Sequence, residues 1–257
     1  MRWAAKTTVV ALARVLGIPW RLVPFALRRA FVRALLVVES RIGPPRNSLA
    51  RLFALSDDLE LVVNERATAY GHGSHPKHRL IPYHDFFVDR IPPGSRVLDL
   101  GCGAGEVARS IAERVPGVSV TAVDSNADAI QRARASAQPA NLKFVLGDAT
   151  RDLDAAPCDV IVLSNVWEHL ADRVGFLGGL VRRSAPKRVL IRVPLFERHP
   201  NMALRRELGV NYFSDPTHTI EHTLAEFERE VADSGLVIVE RQTLWGEIWA
   251  WCEHEST

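Results

Sequence analysis

From residue 96 onward, short apolar runs alternate with segments whose apolar positions recur every three or four residues, the periodicities of strand and helix. The pattern predicts strands over 96–100, 118–123, 142–146, 158–163 and 187–193, separated by helices over 105–115, 126–137 and 169–183. Such alternation implies a parallel sheet with helices on both faces. Further on, Thr223 and Glu226 have the spacing of a capping box, opening a helix that Gly235 closes, and strands over 236–241 and 247–252 follow in quick succession. The expected fold is α/β and doubly wound, a mostly parallel seven-stranded sheet with an antiparallel last strand.

Upstream the pattern changes. Between Phe25 and Ile42 the apolar residues Leu27, Phe31, Leu35, Val38 and Ile42 fall on one helical stripe, with Arg28, Arg29, Arg33 and Ser40 opposite. A second helix is expected over 57–70, with Asp57 as N-cap, Glu60 three residues on and Gly71 as the stop. The predicted organisation is a basic amphipathic helical extension over 1–56, a helical cap and His-rich connector over 57–93, and a ligand-binding domain over 94–257 carrying an insert at 194–222. Composition sets the boundary at Ile91 to Gly94.

Charge sharpens this division. Residues 1–52 hold ten Lys/Arg against Glu39 alone, a balance of +9. The remainder keeps 22 of the 32 basic and 29 of the 30 acidic residues, a balance of −7, so the body of the protein makes a poor polyanion surface and nucleic acid is not the expected partner. Arg14, Arg21, Arg28 and Arg33 interrupt every window long enough to span a bilayer, and the apolar run Val9 to Ala13 is too short for a cleaved signal. Two readings of the segment stand: helices that cap the domain with solvated arginines, or a helix lying on an anionic membrane surface through residues 1–52. At 257 residues and 47% hydrophobic content, the chain suits one catalytic domain with extensions. Cys102, Cys158 and Cys252 are odd in number and lack metal-ligand spacing, which points to a reducing, cytoplasmic setting, peripheral on the inner membrane face under the second reading.

The chemistry concentrates in Arg96 to Val107, R-V-L-D-L-G-C-G-A-G-E-V, where a strand runs into Gly101, Gly103 and Gly105. Glycines let the backbone turn sharply and approach a ligand closely. A dinucleotide fingerprint needs a glycine three residues beyond its second, where Glu106 stands, and Asp99 precedes the first glycine. Two acids would repel a pyrophosphate but attract an ammonium. This points to S-adenosylmethionine, which has a methionine head and a sulfonium and no phosphate. In an open α/β sheet, ligands sit beyond the carboxyl ends of the strands. The second strand ends in Asp124 and Ser125, about 20 residues on, where a carboxylate can accept ribose hydroxyls. The third ends in Gly147-Asp148-Ala149 and the fourth in Ser164-Asn165-Val166.

The stretch VLDLGCGAGEVA resembles the glycine motif of the class I S-adenosylmethionine-dependent methyltransferases, a doubly wound family. That resemblance implies S-adenosyl-L-methionine as cofactor, Asp148 at the adenine amino group, Ala149 on the ring and Asn165 near the methionine moiety. It also matches Asn165-Val166-Trp167-Glu168-His169-Leu170 to the family's loop after the fourth strand. His169 has the unperturbed pKa of a general base, although Glu168-His169 could simply begin the helix. In the insert, His218 could be the base and Glu221 its orienter, or both could be loop-surface residues. His72, His75 and His78 lie three apart, but Pro76 and the glycines prevent a helix that would align them, so no metal is expected there. Lys77, Arg79 and Tyr83 are better placed to pair with the methionine carboxylate or an acidic substrate.

The His-Pro-Lys-His connector, the Asp-Pro-Thr-His segment and Gly246 to Ala250 most resemble methyltransferases of small molecules and bacterial polysaccharide or glycolipid assembly. The expected reaction is methyl transfer to a hydroxyl of a sugar, glycolipid or other small molecule. The rivals are an RNA methyltransferase using the basic N-terminal segment and a non-catalytic cofactor-binding module.

Overall fold

A computed structural model describes residues 17–73, 75–135, 138–150 and 157–254. The chain divides into two compact units, one ending at Val62 and one beginning at Val63.

The first unit contains α1 (Phe25–Arg41) and most of α2 (Pro45–Tyr70). Arg51 on α2 pairs with Glu39 and donates to the carbonyl of Ile42 (2.5 Å), satisfying an acceptor left over where α1 ends. The helix expected to start at Asp57 instead runs unbroken from Pro45. Proline suits the first turn because its missing N–H has no partner there, and Asp57 becomes an interior residue. Tyr70 ends the helix, as Gly71 predicted. No residue of α1 is buried.

In the second unit, seven strands form one sheet in the order β3-β2-β1-β4-β5-β7-β6: β1 (Arg96–Leu100), β2 (Ser119–Asp124), β3 (Leu142–Leu146), β4 (Val160–Ser164), β5 (Arg188–Pro194), β6 (Leu236–Leu244) and β7 (Glu247–His254). β1 to β5 pair in parallel; β7 inserts antiparallel between β5 and β6. The central strands are buried on both faces, which explains their unbroken apolar runs. Val97, Val160, Val162 and Leu190 point into one core with α4 (Tyr83–Val88), α5 (Glu106–Arg114) and α6 (Ala127–Ala135). Their neighbours Leu98, Ile161, Leu163 and Ile191 point into the other with α7 (Arg173–Ser184) and α9 (Leu224–Asp233). Cys158 is buried just before β4, as a small apolar residue would be. The Thr223–Glu226 capping box is formed in both directions at the start of α9.

Three local differences from the sequence reading matter. No described helix aligns His72, His75 and His78, as expected, but Pro76 caps a four-residue α3 (Lys77–Leu80) that includes His78 alone of the three. α4 was not signalled by periodicity, being only six residues long. The helix expected over 169–183 is preceded by a separate 3-10 turn, Trp167–His169, and α7 starts afresh at Arg173 because the Asp172 side chain accepts from the Gly175 N–H (2.9 Å). Glu168 and His169 are thereby kept in the loop beyond β4 instead of being carried into a helix. The insert holds a 3-10 turn (Phe196–Arg198) and α8 (Asn201–Leu208), and it is pinned to the sheet end by a bridge between Leu195 and His222.

Candidate active site

The order β3-β2-β1-β4-β5 reverses direction next to β1, a topological switch point of the kind beside which open α/β sheets bind ligands. Gly101, Gly103 and Gly105 all have positive φ (66°, 55° and 84°). A Cβ on Gly101 would lie 2.4 Å from Val166, and one on Gly105 would lie 2.4 Å from the Phe144 ring. The β1 loop therefore packs directly on the loop beyond β4. A Cβ on Gly103 would meet nothing within 4 Å, which is the open side of the cradle.

Two carboxylates define the chemistry of that cradle. Asp124 accepts from the Gly103 N–H (2.7 Å) and the Asn126 N–H (2.8 Å), one on each oxygen. It shapes the glycine loop and still keeps a lone pair on each oxygen for hydroxyl donors. Asp99 is 1% exposed, and its Oδ2 has no partner among the described residues. Burial first, and the Asp124 charge second, push the Asp99 carboxyl up to about 8. An orphaned buried carboxylate of this kind fits a ligand ammonium, and the donor set fits an amino-acid head beside a ribose. Asp148 accepts from the N–H (2.8 Å) and hydroxyl (2.6 Å) of Thr150, and Ala149 packs against the core under the sheet. Ser125 is exposed at the end of β2.

Asn165 adopts a left-handed φ of 58°, and its Nδ2 donates to Glu168 Oε1 (3.0 Å). This joins the cofactor loop to the second cluster. The structure brings together the residues proposed from sequence as catalytic. Glu168 is fully buried, and burial pushes its carboxyl up to about 7. The His169 and His218 rings meet edge to face, 4.5 Å between centroids, and His218 Nε2 is 3.9 Å from Glu168 Oε1. His218 Nδ1 bonds Glu221 Oε1 (3.0 Å), so the two insert residues are paired and not separate on the surface. Burial raises the Glu221 carboxyl, but bonds from His218 and Ser214 and the Arg198 charge outweigh it and hold it below the usual range. Burial, with the His218 charge next, lowers His169, so its ring favours the neutral form.

Sequence reasoning missed the supports. Arg198 Nη1 grips Glu221 Oε2 (2.5 Å), and Thr217 links His169 Nδ1 (2.9 Å) to Asp215 (2.5 Å). The Asp-Pro-Thr-His string signalled a turn, but not that its Thr would face a residue 48 positions away. His222 and Glu230 form a further buried pair (3.1 Å), with Arg173 on the same carboxylate (2.8 Å), and this anchors the end of the insert to α9. Of the connector residues expected to face the cofactor head, Tyr83 is buried beneath the Arg192 guanidinium (3.9 Å), and its hydroxyl meets His78. Arg192 in turn bonds Glu247 (2.7 Å). Burial and the negative field of Glu106, Glu247 and Asp99 raise the Tyr83 phenol strongly, against the opposing pull of Arg192. Arg79 is exposed, and its backbone N–H donates to the Pro76 carbonyl (3.1 Å).

The comparisons agree with this geometry. The sequence profile of a methyltransferase-domain family matches residues 72–241. A trans-aconitate 2-methyltransferase of Streptomyces coelicolor is 33% identical over 144 residues, covering 52% of this chain and 47% of the relative. A ubiquinone biosynthesis O-methyltransferase of Caulobacter sp. is 32% identical over 46% of this chain and 48% of its own. The chain thus spans about half the length of these curated relatives. A putative methyltransferase solved in complex with the Haloferax volcanii Trm112 activator superposes with a TM-score of 0.59 at 17% identity, over 74% of this chain and 96% of that one.

Fold, glycine cradle and paired acids define a class I S-adenosylmethionine-dependent methyltransferase, and the chain belongs to the methyltransferase-domain family. S-adenosylmethionine is its cofactor.

Proposed function

We propose that this chain transfers a methyl group to an oxygen of a small acceptor, a hydroxyl of a sugar, glycolipid or other small molecule. The observation that carries the reading is the Glu168–His169–His218 cluster, joined through Asn165 to the loop that packs on the glycine cradle. The bound cofactor supplies an electrophilic methyl on its sulfonium. Asp99 would pair with its ammonium and Asp124 with its ribose, while the cradle backbone fixes their separation. His218, held by Glu221 and Arg198 with His169 against it, would take the acceptor proton, a role these contacts support. Relatives named for trans-aconitate and for O-methylation agree with a small, oxygen-bearing acceptor.

Residues 1–52 bear on where that acceptor is met, and we infer an anionic membrane surface. Leu27, Phe31, Leu35, Val38 and Ile42 are 52–61% exposed beside the arginines of α1, which supports a surface-lying helix. No described helix is long and apolar enough to cross a membrane.

Radiolabelled cofactor incubated with fractionated lipid, glycan, small-molecule and RNA extracts tests the reading. Label is expected in one of the first three, as an alkali-stable methyl ether; label confined to RNA would overturn it. His218→Ala should lower kcat by about 10²- to 10⁴-fold while leaving the cofactor Kd unchanged. An unchanged kcat removes His218 from the mechanism.

A further inference from the structure

We propose that Glu168, His169 and His218 form a binding site for a divalent transition-metal ion of the zinc, cobalt or manganese type. One ligating atom from each residue lies within 4.8 Å of the others, and Glu168 is completely buried. Its Oε2 has no hydrogen-bond partner among the described residues, while its Oε1 receives Asn165 Nδ2 at 3.0 Å.

The hydrogen bonds around the two rings decide which nitrogens are free. Glu221 accepts on both oxygens, from the Ser214 N–H (2.5 Å) and hydroxyl (2.9 Å) on one and from Arg198 (2.5 Å) on the other. It therefore acts as an acceptor toward His218 Nδ1, which must carry the proton, and His218 Nε2 is left with a bare lone pair. At His169 the count is as strict. The Thr217 hydroxyl has one proton and gives it to Asp215 Oδ1 (2.5 Å), so toward His169 Nδ1 (2.9 Å) it can only accept. His169 is thereby also an Nδ1–H tautomer with its Nε2 lone pair unused.

Two imidazole nitrogens with unused lone pairs and the buried Glu168 carboxyl, whose Oε1 lies 3.9 Å from His218 Nε2, thus share one space. Left so, the arrangement costs free energy, and a cation removes the cost. Imidazoles whose far nitrogens are fixed by carboxylate or hydroxyl partners are the usual outer support of metal-binding histidines. Two nitrogens and one carboxylate suit a transition ion better than calcium or magnesium, which favour all-oxygen shells. Bonds of about 2.0–2.2 Å would draw the three side chains in by roughly an ångström. Three protein ligands leave a coordination position for an acceptor oxygen. This inference rests on the proposed methyl transfer but changes the role of His218, whose Nε2 would hold the ion instead of taking the proton. The bound hydroxyl would be acidified by the ion and its proton would leave to solvent, which narrows the acceptor to one with an ionisable hydroxyl.

The test is ion binding by the full chain, without cofactor or acceptor. Chelator-stripped protein is titrated with Co²⁺, followed by its visible absorption, and then with Zn²⁺, with metal content measured after gel filtration. One ion per chain is expected, with Zn²⁺ displacing Co²⁺ and excess Mg²⁺ failing to do so. His169→Ala and His218→Ala should each weaken binding by more than about 100-fold, and Glu221→Gln by about 10- to 100-fold. His72→Ala, in the exposed connector, should leave it unchanged. Circular dichroism and cofactor binding show that each variant is folded. No stoichiometric Co²⁺ or Zn²⁺ on folded wild-type protein, or equal binding by the His169→Ala/His218→Ala double variant, overturns the proposal. Because no methyl transfer is measured, that failure leaves the proposed reaction standing, and absence of transfer by ion-loaded protein would leave the ion site standing.

Discussion

At the scale of single residues, Asp99 shows how a site is held ready at a cost to stability. Its carboxyl is buried, its Oδ2 has no partner among the described residues, and it is raised from 3.8 to about 8. A raised folded-state value means that the folded form holds a proton the unfolded chain has released. The associated stability is fully present below the unfolded value and is lost as pH rises toward the folded one. Thermal melts should therefore show a Tm falling between about pH 5 and pH 8, and Asp99→Asn should flatten that slope and raise the Tm at neutral pH. Cofactor binding works in the opposite sense, since an ammonium beside Asp99 expels the proton. Calorimetry at neutral pH in buffers of different ionisation enthalpy should register net proton release in the wild type and none in Asp99→Asn, with weaker binding. Equal proton release in the two would show that Asp99 does not meet the ammonium. The residues of the cradle were legible in sequence because a strand running into three glycines is local information. The supports of His218 and His169 were not, since Arg198 and Thr217 acquire their roles only when distant segments meet.

At the scale of elements, periodicity located the strands closely and failed where a side chain or a proline decided a helix end. Asp172 rather than His169 starts α7, and Pro45 rather than Asp57 starts α2. Both are short-range capping effects that override an apolar repeat. α1 is the element whose pattern has a functional consequence. Anionic liposomes at low salt should co-sediment the full chain, and charge reversal at Arg28, Arg29 and Arg33 together should reduce partitioning by at least about 100-fold, since each surface arginine contributes about 1 kcal/mol. Wild-type protein that stays in the supernatant would leave α1 without a membrane role.

At the scale of the whole molecule, the two compact units divide the charge as well as the chain. All the residues assigned to cofactor and chemistry lie after Val63. A chain beginning at Val63 is expected to fold and to bind S-adenosylmethionine with an affinity within about threefold of the full chain, because that unit is compact by itself and carries every residue assigned to the cofactor. It should lose liposome binding altogether. Calorimetric titration checks the first expectation and sedimentation the second. Failure of the shortened chain to bind cofactor while folded would tie the basic extension to the site itself.

The sequence alone determined the strand and helix alternation, the glycine turn with its two acids, and the uneven charge, because each is written in neighbouring residues and depends on backbone stereochemistry, periodicity or simple counting. Only the tertiary structure decided that Asp99 is left with an unpaired oxygen, that Val166 closes on Gly101, and that Glu168, His169 and His218 share one space. Those facts depend on burial and on loops far apart in sequence brought together at one end of the sheet, where desolvation and hydrogen-bond geometry, rather than residue type, fix what each group can do.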